Sequence, residues 1–93
     1  MNYSVLSLNI TNKVVMVTGA GGSIGSELCR QILGLKPQVL VLFDQSEFAL
    51  YRIHKELVNV GMPNVEILSM LGSVANHKRL NHIMQRLDVN TIY

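Results

Sequence analysis

The sequence predicts an α/β fold, a parallel sheet with helical crossovers, and three observations support it. Short runs of β-branched and other apolar residues alternate with segments whose apolar residues recur every three or four positions. The apolar runs lack polar alternation, which is typical of strands buried on both faces of a parallel sheet. Gly and Pro residues separate the segments. The predicted order is β-α-β-α-β-α-β, with about four strands and three helices.

The first strand and helix lie on either side of a glycine-rich turn. The run KVVMVT, from Lys13 to Thr18, predicts a buried strand, and GAGGSIG follows it directly. Gly34 suits the C-terminal cap of the helix, and Pro37 prevents the helix from resuming. The apolar stripe predicted for this helix consists of Ile24, Leu28, Cys29, Ile32 and Leu33.

The second strand and helix have a clear junction. The run VLVLF, from Val39 to Phe43, predicts a strand that ends at Asp44. Ser46 is the predicted N-cap of the next helix, and Glu47 lies in its first turn, where the helix dipole favours an acid. Gly61 and Pro63 end this helix. Its predicted buried face consists of Leu50, Ile53, Leu57 and Val60.

A third strand is predicted from Val65 to Leu71, and a fourth begins at Val89 and runs to Tyr93. A helix starting at about Asn76 lies between them, with an apolar face formed by Leu80, Ile83, Met84 and Leu87. Parallel sheets of this class normally continue beyond a fourth strand. The sequence therefore predicts an incomplete domain over residues 13–93, truncated inside the fourth strand, and an N-terminal extension over residues 1–12.

Composition excludes several classes of protein. Hydrophobic residues make up 48% of the 93 residues and charged residues 15%, which argues against disorder. The net charge is +2 and the basic residues form no stripe, so we expect no nucleic-acid partner. No segment resembles a signal peptide or approaches the roughly 20 apolar residues of a membrane helix. The single cysteine, Cys29, excludes an internal disulfide, and a cytoplasmic setting is expected.

The glycine-rich turn carries the strongest functional signal. Residues Thr18 to Gly25 have the spacing TGxxGxxG, directly after a strand and at the start of a helix. Gly19 permits a tight turn, Gly22 lets backbone amides approach a pyrophosphate, and Gly25 allows close packing of the helix. Free N–H groups at the helix start then hold the anion. The pattern predicts a Rossmann-type dinucleotide-binding domain.

Asp44 supports this prediction. It ends the second strand, 19 positions after Gly25, where a carboxylate accepts hydrogen bonds from the adenosine ribose. A strand-end turn residue or a helix cap is the alternative role. A carboxylate there repels a 2′-phosphate and so favours NAD, whereas Arg52 leaves NADP open. Ser26 and Glu27 stand where a P-loop needs Lys and Ser or Thr, which excludes a nucleoside triphosphatase.

A family resemblance extends this reading. The spacing TGxxGxxG is similar to that of short-chain dehydrogenases/reductases, and the runs VMVTGAGGSIGSELCRQI and LVLFDQSEFALYRIHKEL resemble the CapD-like polysaccharide biosynthesis family. This resemblance covers about Lys13 to Tyr93. It implies a nucleotide-sugar 4,6-dehydratase, a lyase that converts a UDP-N-acetylhexosamine into a 4-keto-6-deoxy sugar with bound NAD or NADP.

The resemblance also implies which residues meet the cofactor. The pyrophosphate would lie against Gly19, Gly22, Ser23, Ile24 and Gly25. The adenosine ribose would meet Asp44, Gln45 and Ser46. The adenine would lie beside Gly72, Ser73 and Val74, where Ser73 replaces the Asp of related enzymes. The catalytic residues of the family lie downstream, so we assign none in this chain and expect the 93 residues alone to be inactive.

The resemblance implies a UDP-sugar substrate and a homo-oligomer for the natural protein, and attachment to the inner face of the membrane stays open. Two alternatives remain: a sugar-nucleotide epimerase or reductase with the same cofactor turn, and a stand-alone dinucleotide-binding module without catalysis. Residues downstream of Tyr93 would separate the enzymes. Cooperative unfolding and tight NAD binding by the isolated chain would favour the stand-alone module.

Several reactive residues receive no functional role. The three histidines lack the spacing of metal ligands, so we predict no metal site. Cys29 falls on an apolar stripe and is predicted to be a buried, inert thiol. Tyr51 and Lys55 match the pattern YxxxK of a catalytic pair, but on the wrong helix. Lys78 and Arg79 are predicted to be a solvated pair.

Overall fold

The computed structural model describes residues 8–93, which form a four-stranded parallel sheet with helical crossovers. A short helical stretch at residues 8–10 precedes the alternating elements. These are β1 (Val14–Thr18), α1 (Ser23–Gly34), β2 (Val39–Asp44), α2 (Glu47–Val60), β3 (Glu66–Leu71), α3 (His77–Arg86) and β4 (Thr91–Ile92). The strand order is β3-β2-β1-β4. The predicted Rossmann-type α/β fold is confirmed.

The sheet is covered on both faces, which explains the continuous apolar runs of β1 and β2. Val15, Val17 and Leu42 face the layer formed by α1 and α2. Met16 and Phe43 face the other side, where Ile83 of α3 packs against them. Residues 15–17 and 40–43 of the two central strands are therefore buried whichever way they point. This arrangement brings the carboxyl ends of β1, β2 and β3 to one edge of the sheet.

Three details differ from the predicted helices. Ile24 is 86% exposed, because the first turn of α1 precedes the buried part formed by Cys29, Ile32 and Leu33. Val60 is 59% exposed, because the core below the end of α2 is filled by Met62 and Val65 instead. Gly34 lies inside α1, and Leu35 is the C-cap.

Strand β4 is shorter than the predicted fourth strand. Its first predicted residues instead build the turn from α3: the amide of Val89 donates to the Met84 carbonyl, and Asn90 Oδ1 accepts from the Val14 amide. Tyr93 still bonds to the backbone of β1, donating to Met16 and accepting from Thr18.

Residues 8–12 pack on the domain that follows them. Ile10 is 1% exposed and lies in the core beneath α1 and α2. The Thr11 hydroxyl donates to the Leu35 carbonyl at 2.8 Å, and the Thr91 hydroxyl donates to the Asn9 carbonyl at 2.7 Å. The domain boundary at residue 13 remains a prediction, and residues 1–7 of the predicted extension lie outside the described residues. Among residues 8–93, no helix combines the length and apolar character needed to cross a bilayer.

Candidate functional site

A cleft of about 270 Å³ lies at the carboxyl edge of the sheet. Three connections line it: the glycine-rich turn after β1, the junction after β2, and the loop after β3. The volume is just below the roughly 300–1,000 Å³ of complete small-molecule sites, which is consistent with part of a larger site. The lining residues are Gly19, Gly22, Phe43, Asp44, Gln45, Gly72, Ser73 and Val74.

The glycine-rich turn folds tightly at the end of β1. Gly19 adopts a left-handed backbone with φ of +61°, a conformation that favours glycine. The Gly22 amide donates to the Gly19 carbonyl at 3.0 Å and closes the turn. A Cβ on Gly25 would overlap the Gly19 carbonyl oxygen and lie 2.7 Å from its carbon. Gly25 is therefore required for α1 to pack against the turn itself.

The N-terminus of α1 is open, unlike those of the other two helices. Gly22 is its N-cap, and no side chain in the described part of the chain caps it. In contrast, Ser46 caps α2 by accepting from the Ala49 amide, and Asn76 caps α3 by accepting from the Arg79 amide. The first amides of a helix have no partner within the helix and attract anions. The end of α1 beside the cleft can therefore receive a phosphate group.

Asp44 forms hydrogen bonds with all three segments that line the cleft. The residue is only 9% exposed. Its carboxylate accepts from the Gly21 amide at 2.8 Å and from the Ser46 amide at 2.8 Å. Its backbone carbonyl accepts from the Gly72 amide at 2.9 Å. Of the predicted alternatives, a strand-end turn residue describes part of what Asp44 does, whereas the helix cap is Ser46. A carboxylate offers about four acceptor positions, so capacity for ribose hydroxyls remains.

The structure brings most of the predicted cofactor residues together. The cleft is lined by seven of them, whereas Ser23, Ile24, Gly25 and Ser46 do not line it. Ser23 and Ile24 are exposed in the first turn of α1, beside the open amides. Gly25 supports the turn, and Ser46 caps α2. The Ser73 hydroxyl accepts from the Ala75 amide at 3.2 Å, which shapes the loop after β3.

Two residues of this site were missed at the level of sequence. Phe43 lines the cleft with part of its ring, although it was assigned only to a buried strand. Gly21 occupies a variable position of TGxxGxxG, yet a Cβ there would lie 2.6 Å from the Ala49 Cβ of α2. The pair of glycines at 21 and 22 was the available signal. No sequence signal indicated Phe43, because its place in the cleft depends on the neighbouring loop.

A second groove, of about 300 Å³, lies between α1 and α2 and includes Arg30 and Arg52. Arg30 is paired with Glu56 at 3.0 Å and with Glu27 at 3.1 Å. The hydrogen bond and charge of Arg30 lower the pKa of Glu56 below its usual value. Arg52 lies 5.7 Å from the ring centroid of Phe48. Arg52 does not line the cleft around Asp44.

Tyr51 and Cys29, which have no predicted role, do not line the cleft. Tyr51 is 61% exposed on α2, with Lys55 Nζ 6.0 Å from its ring centroid. Cys29 is buried as predicted, and burial raises the pKa of its thiol to about 12. Within residues 8–93, no group of three or more His, Cys, Asp or Glu side chains is placed to hold a metal ion.

Solved structures similar to this chain include dehydrogenases with bound NAD. A short-chain dehydrogenase/reductase from Burkholderia phymatum in complex with NAD superposes with a TM-score of 0.73 and 26% identity, over 85% of this chain and 27% of that one. NAD⁺-bound xylitol dehydrogenase gives a TM-score of 0.73 at 22% identity, over 89% of this chain and 32% of that one. The second likeness shows the fold alone.

Curated relatives place the chain in a family. The capsular polysaccharide biosynthesis protein CapD of Staphylococcus aureus is 36% identical over all 93 residues, and the probable polysaccharide biosynthesis protein EpsC of Bacillus subtilis strain 168 is 31% identical. The chain spans 16% of the length of each. The model of the polysaccharide biosynthesis protein family matches residues 15–93. The chain therefore belongs to the polysaccharide biosynthesis protein family, as its sequence motifs predicted.

Proposed function

We propose that this chain binds the adenosine and pyrophosphate part of NAD in a nucleotide-sugar 4,6-dehydratase acting on a UDP-N-acetylhexosamine. The observation that carries the proposal is the cleft itself, where a buried carboxylate lies beside the open N-terminus of α1. That pairing fits a dinucleotide, which offers ribose hydroxyls to the carboxylate and a pyrophosphate to the amides. When bound, the nicotinamide would accept hydride from C4 of the sugar and return it at C6 after water is eliminated.

The residues of this chain would bind and orient the cofactor. The amides of Ser23, Ile24 and Gly25 would donate to the pyrophosphate, because no side chain of the described residues caps α1. Gly22 would allow close approach, since a Cβ there would meet only the Gly19 carbonyl at 3.4 Å. The open first turn thus leaves donors available before the cofactor arrives.

The other wall of the cleft would hold the adenosine. The Asp44 carboxylate would accept hydrogen bonds from the ribose hydroxyls, and the Gln45 side-chain amide would donate to them. Gly72, Ser73 and Val74 would lie along the adenine, with the exposed Val74 side chain providing apolar contact. Ser46 would act indirectly by capping α2 and donating its amide to Asp44. The Ser73 hydroxyl keeps its own proton to donate, because its bond to Ala75 uses only an oxygen lone pair.

The proposal favours NAD over NADP. A 2′-phosphate placed beside the buried Asp44 carboxylate would meet a like charge, and Arg52 does not line this cleft. We expect the dissociation constant of NADP to exceed that of NAD. Asp44→Asn should lower the ratio of the NADP dissociation constant to the NAD dissociation constant. The loss of hydrogen bonds from Asp44 should weaken the binding of both cofactors. Glu47→Gln, an equal loss of charge at an exposed position three residues away, should leave the ratio unchanged. Tighter binding of NADP by the unaltered protein would refute the preference.

The reaction class has a direct test on the natural gene product that carries these residues. The purified protein is incubated with UDP-N-acetylglucosamine, and products are analysed by mass spectrometry and NMR. A dehydratase gives a product lighter by one water, without net accumulation of reduced cofactor. A product of unchanged mass would indicate an epimerase, and stoichiometric consumption of reduced cofactor would indicate a reductase. Binding of NAD without turnover of this or related UDP-sugars would favour the non-catalytic module.

A further inference from the structure

Arg79 is exposed, as is Lys78, but its side chain also bonds to the backbone of the chain. It lies in the first turn of α3, and its side chain extends back over the loop that follows β3. The Arg79 Nε donates to the carbonyl of Leu71, the last residue of β3, at 2.8 Å. Its own amide donates to Asn76 Oδ1 at 3.2 Å. Arg79 therefore connects the start of α3 to the end of β3 across the intervening loop.

Gly72 is enclosed between this guanidinium and the ring of Phe43. A Cβ built on Gly72 would lie 2.9 Å from Arg79 Nε and 2.9 Å from the nearest carbon of the Phe43 ring. Both distances are shorter than real Cβ contacts, so the two side chains occupy the space that a side chain at position 72 would need. The Gly72 amide also donates to the Asp44 carbonyl at 2.9 Å. The position of Gly72, a wall residue of the cleft, is therefore set by three neighbours.

The rest of the loop after β3 is stabilised by hydrogen bonds within the loop. The amides of Ala75 and Asn76 both donate to Ser73, one to its hydroxyl and one to its carbonyl. Hydrogen bonds within the loop therefore fix its shape, and the bonds at Leu71 and Gly72 join its start to α3 and to β2. A planar guanidinium suits this place, because it holds its Nε donor in a fixed geometry toward the Leu71 carbonyl.

We propose that Arg79 is a positioning residue for the adenosine end of the dinucleotide. It acts through Gly72, holding the loop 72–76 at the distance from Asp44 that the cleft requires. The inference rests on the proposed function, since it assigns this wall of the cleft to adenosine. It predicts a selective effect: loss of Arg79 weakens contacts to the adenosine half and spares contacts made beyond the glycine-rich turn.

The test uses the natural gene product with Arg79→Ala, and with Lys78→Ala as the matched control. Lys78 carries the same charge on the adjacent position of α3 and is also exposed. Affinities are measured for NAD by calorimetry, and for AMP and nicotinamide mononucleotide by competition against NAD. Arg79→Ala should weaken the binding of NAD and AMP by about fivefold to tenfold, the effect of losing one ordinary hydrogen bond. Nicotinamide mononucleotide should bind as before, and Lys78→Ala should change none of the three.

Two results would overturn the proposal. One is unchanged AMP affinity in Arg79→Ala, and the other is an equal loss for AMP and nicotinamide mononucleotide, which would indicate general destabilisation. Gly72→Ala is the second variant: its Cβ displaces the same loop from Arg79 and Phe43, so it should reproduce the selective loss of AMP even if Arg79→Ala fails to fold. Failure of the unaltered protein to bind NAD or AMP would instead refute the proposed function.

Discussion

Gly25 and Gly34 lie in the same helix, and replacing each by alanine should have opposite effects. A Cβ at Gly25 would overlap the Gly19 carbonyl oxygen and lie 2.7 Å from its carbon, whereas a Cβ at Gly34 would meet nothing within 4 Å. To reach an ordinary contact of 3.4 Å, the Gly19 carbonyl carbon must retreat by about 0.7 Å. That atom belongs to the backbone of the tight turn, so no side-chain rotation can relieve the overlap.

The expected magnitudes follow from these contacts. Gly25→Ala should lower the free energy of unfolding by about 3 kcal/mol, the upper end for overpacked sites, because backbone must move. Gly34→Ala should raise it by about 0.5–1 kcal/mol, because alanine reduces the backbone freedom of the unfolded chain at a helical position. Near 100 residues, 1 kcal/mol corresponds to a shift of about 4–8 °C in Tm. The two variants should therefore melt more than about 10 °C apart.

Thermal unfolding followed by circular dichroism measures this difference, and calorimetric titration with NAD adds the link to function. Gly25→Ala should also weaken NAD binding, since moving the Gly19 carbonyl displaces the amides at the start of α1. Gly34→Ala should bind NAD normally. Equal melting temperatures for the two variants would refute the steric reasoning, and a stable Gly25→Ala protein with unchanged NAD affinity would refute the role of the turn.

Three further predictions concern residues outside the cleft. The Cys29 thiol, with its pKa raised to about 12 by burial, should resist a thiol reagent at pH 8 in the folded protein and react quickly in urea; equal rates would contradict its burial. Because Arg30 lowers the pKa of Glu56, the pair adds stability that is present above the ordinary value of 4.5 and lost as the pH falls through the folded value. The midpoint of urea unfolding is measured as a function of pH. Glu56→Gln should reduce the fall of this midpoint at acid pH, whereas Glu66→Gln should leave that fall unchanged. Tyr51→Phe in the natural protein should leave turnover largely intact, and a loss of several orders of magnitude would reassign this exposed tyrosine.

Sequence reasoning succeeded where the governing interactions are local. The change between continuous apolar runs and helical periodicity located the seven alternating strands and helices from β1 to β4, because burial on two faces and burial on one face leave different patterns. It did not predict the short helical stretch at residues 8–10. The cap Ser46 was also predicted, since a cap bonds to an amide only three residues away. Asn76 was predicted only as the approximate start of its helix, and the structure shows that it is the N-cap. The predicted burial of Ile24 is wrong, because burial depends on distant parts of the chain. Its spacing matches the buried stripe, but the first turn of α1 lies beyond the surface that covers the rest of the stripe.

The sequence by itself determined the order of the elements, the glycine-rich turn and the placement of Asp44 at the end of β2. Only the tertiary structure decided the strand order β3-β2-β1-β4 and the contacts that follow from it. The bond from the Gly21 amide to Asp44 spans 23 residues, and the contact of Arg79 with Gly72 depends on α3 folding back over the end of β3. Such contacts leave no periodic trace in the sequence, because they arise when parallel strands bring the ends of separate crossovers to one edge of the sheet.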